Sequence, residues 1–198
     1  MRRGAGRGDA DRAIGGPYGL TAPAVPTLRG ERVTLRPVTV ADRPRLLSML
    51  DEPEVARWWR REEWERLVGP HAITLAVESR DEGGSATEPD DSLVGMIQFE
   101  EEADPDYRSA SIDIFLSTAV HSRGLGRDAV RTLARYLIAE RGHHRITMDP
   151  AADNERAIRS YASVGFRAVG RLRQYERVAD GSYRDALLME LIAEDFSG

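Results

Sequence analysis

The chain has 198 residues, 41% of them hydrophobic, no cysteine and a net charge of −5. That length suits one domain with a sizeable core, and the missing thiols exclude disulfides, thiolate nucleophiles and cysteine-ligated metals. Lysine is absent as well, so all 28 basic side chains are arginines and Schiff-base chemistry is excluded.

Residues 1–30 combine seven glycines, three prolines, five arginines and two aspartates. Such a composition does not pack a core, so residues 1–28 are expected to form a disordered Gly/Arg-rich arm and 29–198 the folded domain. Residues 1–30 carry +3, which leaves −8 on the remainder, an acidic domain that argues against nucleic acid as a partner. Met1-Arg2-Arg3-Gly4 is not followed by the apolar core of a signal peptide. No stretch approaches the roughly 18–20 apolar residues that span a bilayer, so cytoplasmic residence without a membrane partner is the expectation.

Alternation in Arg32–Val38 predicts a first strand. Leu46, Leu47 and Leu50 share one side of a predicted helix over Thr39–Leu50, and shorter helices are predicted over Glu54–Trp59 and Glu62–Leu67. Strands follow at Ala72–Val77 and Leu93–Glu100, separated by the polar loop Asp81–Asp91 with its Gly83-Gly84. Acidic residues crowd Glu100–Asp106, and Ser109–Leu116 alternates as a further strand. Ala129, Val130, Leu133, Ala134, Leu137 and Ile138 make a single apolar stripe, predicting a helix over Arg127–Arg141. A short strand at Arg145–Met148 ends at Asp149-Pro150, and a helix over Asn154–Val164 stops at Gly165. Phe166–Val178 and Tyr183–Ile192 pair around Asp180-Gly181 as a terminal hairpin. This order predicts a mixed sheet with helices on both faces.

Between the Ser109 strand and the long helix stands Val120-His121-Ser122-Arg123-Gly124-Leu125-Gly126-Arg127. Glycines there allow a sharp turn and close approach of a ligand. The first helical amides point outward at the positive end of the helix dipole, a geometry that binds phosphate. The plain alternative is a tight connection. The run lacks the third glycine of a dinucleotide fingerprint and the Gly-Lys of a P-loop.

A second region, Asp149-Pro150 followed by Asp153-Asn154-Glu155-Arg156-Ala157-Ile158-Arg159-Ser160-Tyr161 and Gly165-Phe166, completes a pattern. Together with the glycine turn it resembles the GNAT superfamily of acyl-CoA-dependent N-acyltransferases, from about Arg29 to Leu191. The resemblance implies an α/β (α+β) fold with a mixed, mostly antiparallel sheet of six to seven strands, in which a bulge splays the Asp113 strand from the Arg145 strand. It implies acetyl-CoA as cosubstrate and no metal. The diphosphate would sit on Arg123, Gly124, Leu125, Gly126 and Arg127, and the pantetheine arm along the opened strand edge and against Asn154. A backbone N–H near Leu116–Ser117 would meet the oxyanion. Asn154 is the chain's sole asparagine, and its plain reading is a helix cap. Tyr161, two turns along the same helix face, matches the family tyrosine that protonates the departing thiolate; by spacing alone it would be a core aromatic. The acceptor amine would attack directly, without an acyl-enzyme. His121 stands where the family has glutamine or arginine and is expected at the rim of the site.

Asp113 lies mid-strand between isoleucines, where a buried carboxylate is costly, so a partner is expected. It is either bonded to an arginine or serves as ammonium ligand or general base. Asp149 could converge with it, Trp58-Trp59 could wall the acceptor side, and Glu100 is a further candidate contact. Val55-Ala56-Arg57-Trp58-Trp59, Glu100-Glu101-Glu102-Ala103-Asp104-Pro105, Ile112-Asp113 and Asp149-Pro150 resemble the aminoglycoside 6'-N-acetyltransferases, whereas Arg173–Glu176 through Asp180–Asp185 is similar to RimJ/RimL-type acetyltransferases of protein N-termini. The resemblance therefore implies acetyl transfer to a primary amine of a small cationic substrate, an aminoglycoside first, by a monomer or homodimer. Acetylation of protein N-termini and a non-catalytic acyl-CoA-binding regulator are the alternatives.

Overall fold

A computed structural model of the chain describes residues 25–60, 72–80, 92–102 and 104–198. The expected helix at Glu62–Leu67, the loop Asp81–Asp91 and most of the N-terminal arm lie outside the described residues. The strands are β1 (Leu28–Arg29), β2 (Val33–Pro37), β3 (Ile73–Ser79), β4 (Leu93–Glu102), β5 (Ser109–Leu116), β6 (Arg145–Met148), β7 (Arg167–Arg177) and β8 (Tyr183–Ile192). They form one sheet in the order β1-β2-β3-β4-β5-β6-β8-β7, antiparallel at every junction except β5–β6. The described helices are α1 (Arg43–Leu50), α2 (Pro53–Ala56), α3 (Leu125–Ala139) and α4 (Glu155–Ala162).

The two-residue β1 adds an eighth strand to the seven expected. Val25 and Leu28 are buried in the main core, so the folded chain reaches back past the expected boundary at residue 29. The strand alternation distributes side chains to two apolar layers. Leu75, Val77, Ile97, Phe99 and Ile112 face α3 through Leu125, Ala129, Leu133 and Leu137. Ala76, Met96 and Phe115, which lie in register across β3, β4 and β5, instead meet Leu46, Met49, Leu50 and Val55 of α1 and α2. Both faces of the central strands are therefore covered, as the sequence predicts.

Two helix boundaries differ from expectation for local reasons. The predicted Thr39–Leu50 helix opens as a 3-10 turn at Val40–Asp42, because Asp42 folds back to accept from the Thr39 amide at 2.7 Å and holds Arg36 at 2.7 and 2.8 Å. The predicted Glu54–Trp59 helix is only one turn, Pro53–Ala56, since the carbonyls of Arg57 and Trp58 accept from Arg184 on β8, each at 2.9 Å.

α3 is fastened to the sheet by Asp128. Its carboxylate accepts from the amides of Glu31 at 3.3 Å, Arg32 at 2.8 Å and Val33 at 3.0 Å. Gly30 makes room for it, because a Cβ there would lie 2.4 Å from Asp128 Oδ2. The Asp128→Ala variant orphans these donors and should lose about 2–4 kcal/mol of stability, read from its urea midpoint. A loss below about 0.5 kcal/mol would show that the helix is held by apolar packing alone.

Candidate active site

β5 and β6 share register at Ala110–Ile146 and Ser111–Thr147 and then separate. The expected bulge is not the cause, because β4 and β5 pair without a break from Gly95–Leu116 to Glu102–Ser109. β6 leaves instead. The chain beyond Met148 keeps to β8: Leu187 N donates to Pro150 O and Ala152 N to Asp185 O, both at 2.9 Å. The open edge of β5 lines a cleft of about 1040 Å³.

Antiparallel pairing alternates, so the residues whose amides face the cleft can be assigned. Ser117 N donates to Val94 O at 2.8 Å, which points Ser117 toward β4 and its neighbour Leu116 away from it. The amides of Leu116 and, two residues earlier, Ile114 therefore face the gap. This corrects one expectation: the amide of Ser117 is spent within the sheet, and its hydroxyl donates to Glu52 at 2.8 Å. Ser117 is buried and does not line the cleft; every other residue nominated from the sequence does.

At one end stands the glycine turn. Gly124 caps α3 in the left-handed region at φ 82° and Ser122 shares that region at φ 61°. For a serine this costs roughly 1–2 kcal/mol. The turn is held from outside: Arg32 donates to the Arg123 carbonyl, and Glu52 accepts from Thr118 N at 2.6 Å. Burial works against ionisation of Glu52, but the hydrogen bonds from Thr118 and Ser117 outweigh it and keep the carboxyl below its ordinary range. The first intrahelical bond of α3 is Asp128 N to Gly124 O at 3.1 Å. Leu125, Gly126 and Arg127 thus present amides without helical partners, flanked by the guanidinium-bearing Arg123 and Arg127.

His121 lies deeper than a rim. Nε2 is 3.1 Å from Leu116 O, and Nδ1 is 2.6 Å from Arg156 Nη1. A carbonyl can only accept and a guanidinium can only donate, so the ring is neutral with its proton on Nε2. Burial, and then the charge of Arg156, depress its pKa. The bridge ties the end of β5 to the start of α4.

α4 begins at Asn154, whose side chain accepts from Ala157 N at 3.2 Å. The cap reading is therefore correct, and the side-chain NH2 is the end left to face the cleft. Tyr161 follows on that helix, packed beside Phe166 with ring centroids 6.4 Å apart. Its pKa is raised by burial first and then by the charges of Asp113 and Asp149. Three nominated groups thus converge electrostatically.

Asp113 was expected to be buried; it is exposed to the cleft, with Gln98 Nε2 at 3.4 Å. Asp149 accepts from the Tyr175 hydroxyl at 2.5 Å, which pushes the phenol up to about 12. Trp58 is covered by two guanidinium groups, Arg57 at 4.6 Å and Arg184 at 5.4 Å from its ring centroid. Trp59 packs against Phe115 at 5.3 Å. Glu100 lies on β4 opposite Ser111, on the same sheet face as Gln98 and Asp113. Tyr175, Gln98, Arg156 and Glu52 were not nominated. Gln98 carried a signal, as the one polar residue in Val94–Phe99; the others are placed by tertiary contacts.

The chain matches the Acetyltransferase (GNAT) domain over residues 32–167 and belongs to that family. It is 29% identical to aminoglycoside N(6')-acetyltransferase type 1 of Klebsiella pneumoniae over 167 residues, covering 77% of this chain and 82% of that one. It is 25% identical to spermidine N(1)-acetyltransferase of Escherichia coli (strain K12), covering 79% and 84%. Mycobacterium smegmatis RimJ, solved in complex with CoA-disulfide, shares the fold at a TM-score of 0.72 and 21% identity, covering 87% and 90%. The protein is an N-acetyltransferase of a family that takes its acetyl group from acetyl-CoA. No helix among the described residues is long and apolar enough to cross a membrane.

The His121 bridge makes a pH prediction. Its pKa is depressed in the folded state, so below about 6.5 the unfolded chain takes up the proton first and stability falls with pH. Above that pH the group contributes no slope. Melting temperatures of the parent should therefore drop more steeply below about pH 6.5 than those of His121→Gln, which titrates nowhere in this range. Parallel curves would mean that the bridge is not formed in solution.

Proposed function

We propose that this enzyme transfers the acetyl group of acetyl-CoA to a primary amine of a small polycationic substrate, with an aminoglycoside the first candidate. The observation that carries the reading is a single cleft holding two chemistries. One end offers outward amides and arginines suited to a diphosphate. The other offers Asp113, Asp149 and Glu100 to cations. The two curated relatives act, by name, on an aminoglycoside and on spermidine, both polyamines.

In this reading the diphosphate lies on the amides of Leu125, Gly126 and Arg127, with Arg123 beside it. The pantetheine arm pairs with the open edge of β5 in the manner of an added strand and meets the Asn154 side chain. The thioester oxygen then reaches the amide of Leu116, the donor that Ser117 does not supply. An ammonium of the acceptor settles between Asp113 and Asp149 and gives one proton to Asp113. The freed amine attacks the thioester carbonyl carbon. As the N–C bond forms and the C–S bond breaks, Tyr161 passes its hydroxyl proton to sulfur, and the second proton leaving nitrogen restores Tyr161. The products are the N-substituted acetamide and coenzyme A thiol, and Asp113 releases its proton to solvent.

Substrate charge assists the last step. In the free enzyme burial first, and then the charges of Asp113 and Asp149, hold the Tyr161 phenol above its ordinary value, which makes proton donation to a thiolate of pKa about 8.5 unfavourable. With Asp113 protonated by the acceptor and the substrate's remaining ammonium groups near Asp149, the carboxylates' share of that field is offset. Tyr161 is therefore a better acid when the correct acceptor is present.

A thiol-release screen over kanamycin A, spermidine and peptides with free N-termini tests the reading. Tyr161→Phe should lower kcat by about 100-fold with little change in acetyl-CoA affinity, and Asp113→Asn should abolish transfer or raise the acceptor KM. Turnover confined to the peptides would replace the acceptor assignment with a protein N-terminus. Acetyl-CoA binding without thiol release on any amine would make the protein a regulator.

A further inference from the structure

β7 and β8 pair regularly at Leu172–Ala186 and again at Glu176–Arg184, which leaves Arg173, Gln174 and Tyr175 facing the single residue Asp185. Three residues against one make a bulge that lifts out of the sheet. It is a held conformation. Asp185 Oδ1 accepts from Gln174 N at 2.7 Å and Oδ2 from Arg171 Nε at 2.6 Å. Gln174 sits at φ 50°, in the left-handed region that a residue with a Cβ occupies at a cost. The backbone donation of Gln174 and the charge of Arg171 keep Asp185 below the ordinary carboxylate range.

The bulge delivers Tyr175 across the cleft to Asp149 Oδ2, at 2.5 Å. Asp149 directly follows β6, which pairs with β8 along its whole length, so the contact joins the end of β6 to β7 at the acceptor end. A hydroxyl donor on one carboxylate oxygen fixes the rotation of the group and leaves the other oxygen for a second donor. Because the Tyr175 phenol is pushed up to about 12, it stays protonated and remains a donor throughout the neutral range.

We propose that the Asp185-pinned bulge makes Tyr175 a positioning residue that orients Asp149 to receive the acceptor's ammonium. The inference rests on the reading of the cleft's acidic end as the amine site. It assigns a second layer to that site, built from β7 and β8 and lying outside the two motif regions. Tyr175 touches neither thioester nor sulfur in this assignment, so its effect appears in acceptor binding.

The test is steady-state kinetics of the full chain with kanamycin A and spermidine as probes, for the parent, Tyr175→Phe, Asp149→Asn and the double variant. Tyr175→Phe should raise the KM of the amine that is turned over by about tenfold, leaving kcat within about twofold and the acetyl-CoA KM unchanged. In the Asp149→Asn background the same substitution should have little further effect, because the group it orients is already altered. Asp185→Ala, which releases the bulge, should reproduce the rise in amine KM. An unchanged amine KM in Tyr175→Phe, or an equal rise with and without Asp149, would overturn the proposal while leaving the acceptor reading intact. A parent that releases thiol with neither amine would overturn both, since no ammonium site would then exist for Asp149 to serve.

Discussion

β5 and β6 run side by side for two residue pairs and then part, and the cleft exists because of that parting. A buried parallel strand normally spends every backbone amide on its neighbours. Here the amides of Ile114 and Leu116 lose one neighbour while β4 still holds β5 on the other side. The strand keeps its ladder with β4 but acquires an edge. After the two shared pairs β5 stays with β4, and the chain after Met148 stays with β8 through Pro150, Ala151 and Ala152. A strand held on one side with unspent donors on the other is suited to hold an extended amide-bearing chain, and the α3 turn at its end is suited to that chain's charged terminus.

The other end of the cleft is organised by charge. Asp113 reaches it from β5 and Asp149 from β6, so the two carboxylates are separated by the same divergence that frees the amides. Tyr161 lies within their field. In the proposed reaction this links substrate choice to chemistry, because a cationic acceptor offsets the part of the phenol's shift that the carboxylates add to burial. Trp58, clasped by Arg57 and Arg184, and Trp59, set against Phe115, form a wall on the α2 side. Arg184 supports that wall by bonding the two carbonyls that end α2 and pairs with Glu176 at the foot of the bulge that carries Tyr175.

Much of this was legible in the chain. The apolar stripe of α3, the alternation of β5 and the sole asparagine placed the turn, the strand and the cap, because each is a local pattern with a local cause. Local patterns also bounded the failures. Ser117 looked like an equal of Leu116, since adjacent residues differ in amide direction only once the partner strand is known; Val94 decided between them. Asp113 looked buried because isoleucines flank it, yet those face α3 while Asp113 faces the cleft. The expected bulge in the central pair is absent, and a larger one occurs in β7, fixed by an aspartate eleven residues away at Asp185. No periodicity announces a contact of that kind. Tyr175 was therefore invisible, as was the bridge from Arg156 through His121 to Leu116.

The assignment of free amides on β5 is the claim on which the rest stands. Amide hydrogen exchange, followed residue by residue with and without acetyl-CoA, addresses it directly. The account predicts that Ile114, Leu116 and Gly126 exchange readily in the free enzyme and become protected on addition of acetyl-CoA, while Ser117 is protected in both. Equal exchange of Leu116 with and without acetyl-CoA, or protection gained at Ser117 in its place, would contradict it.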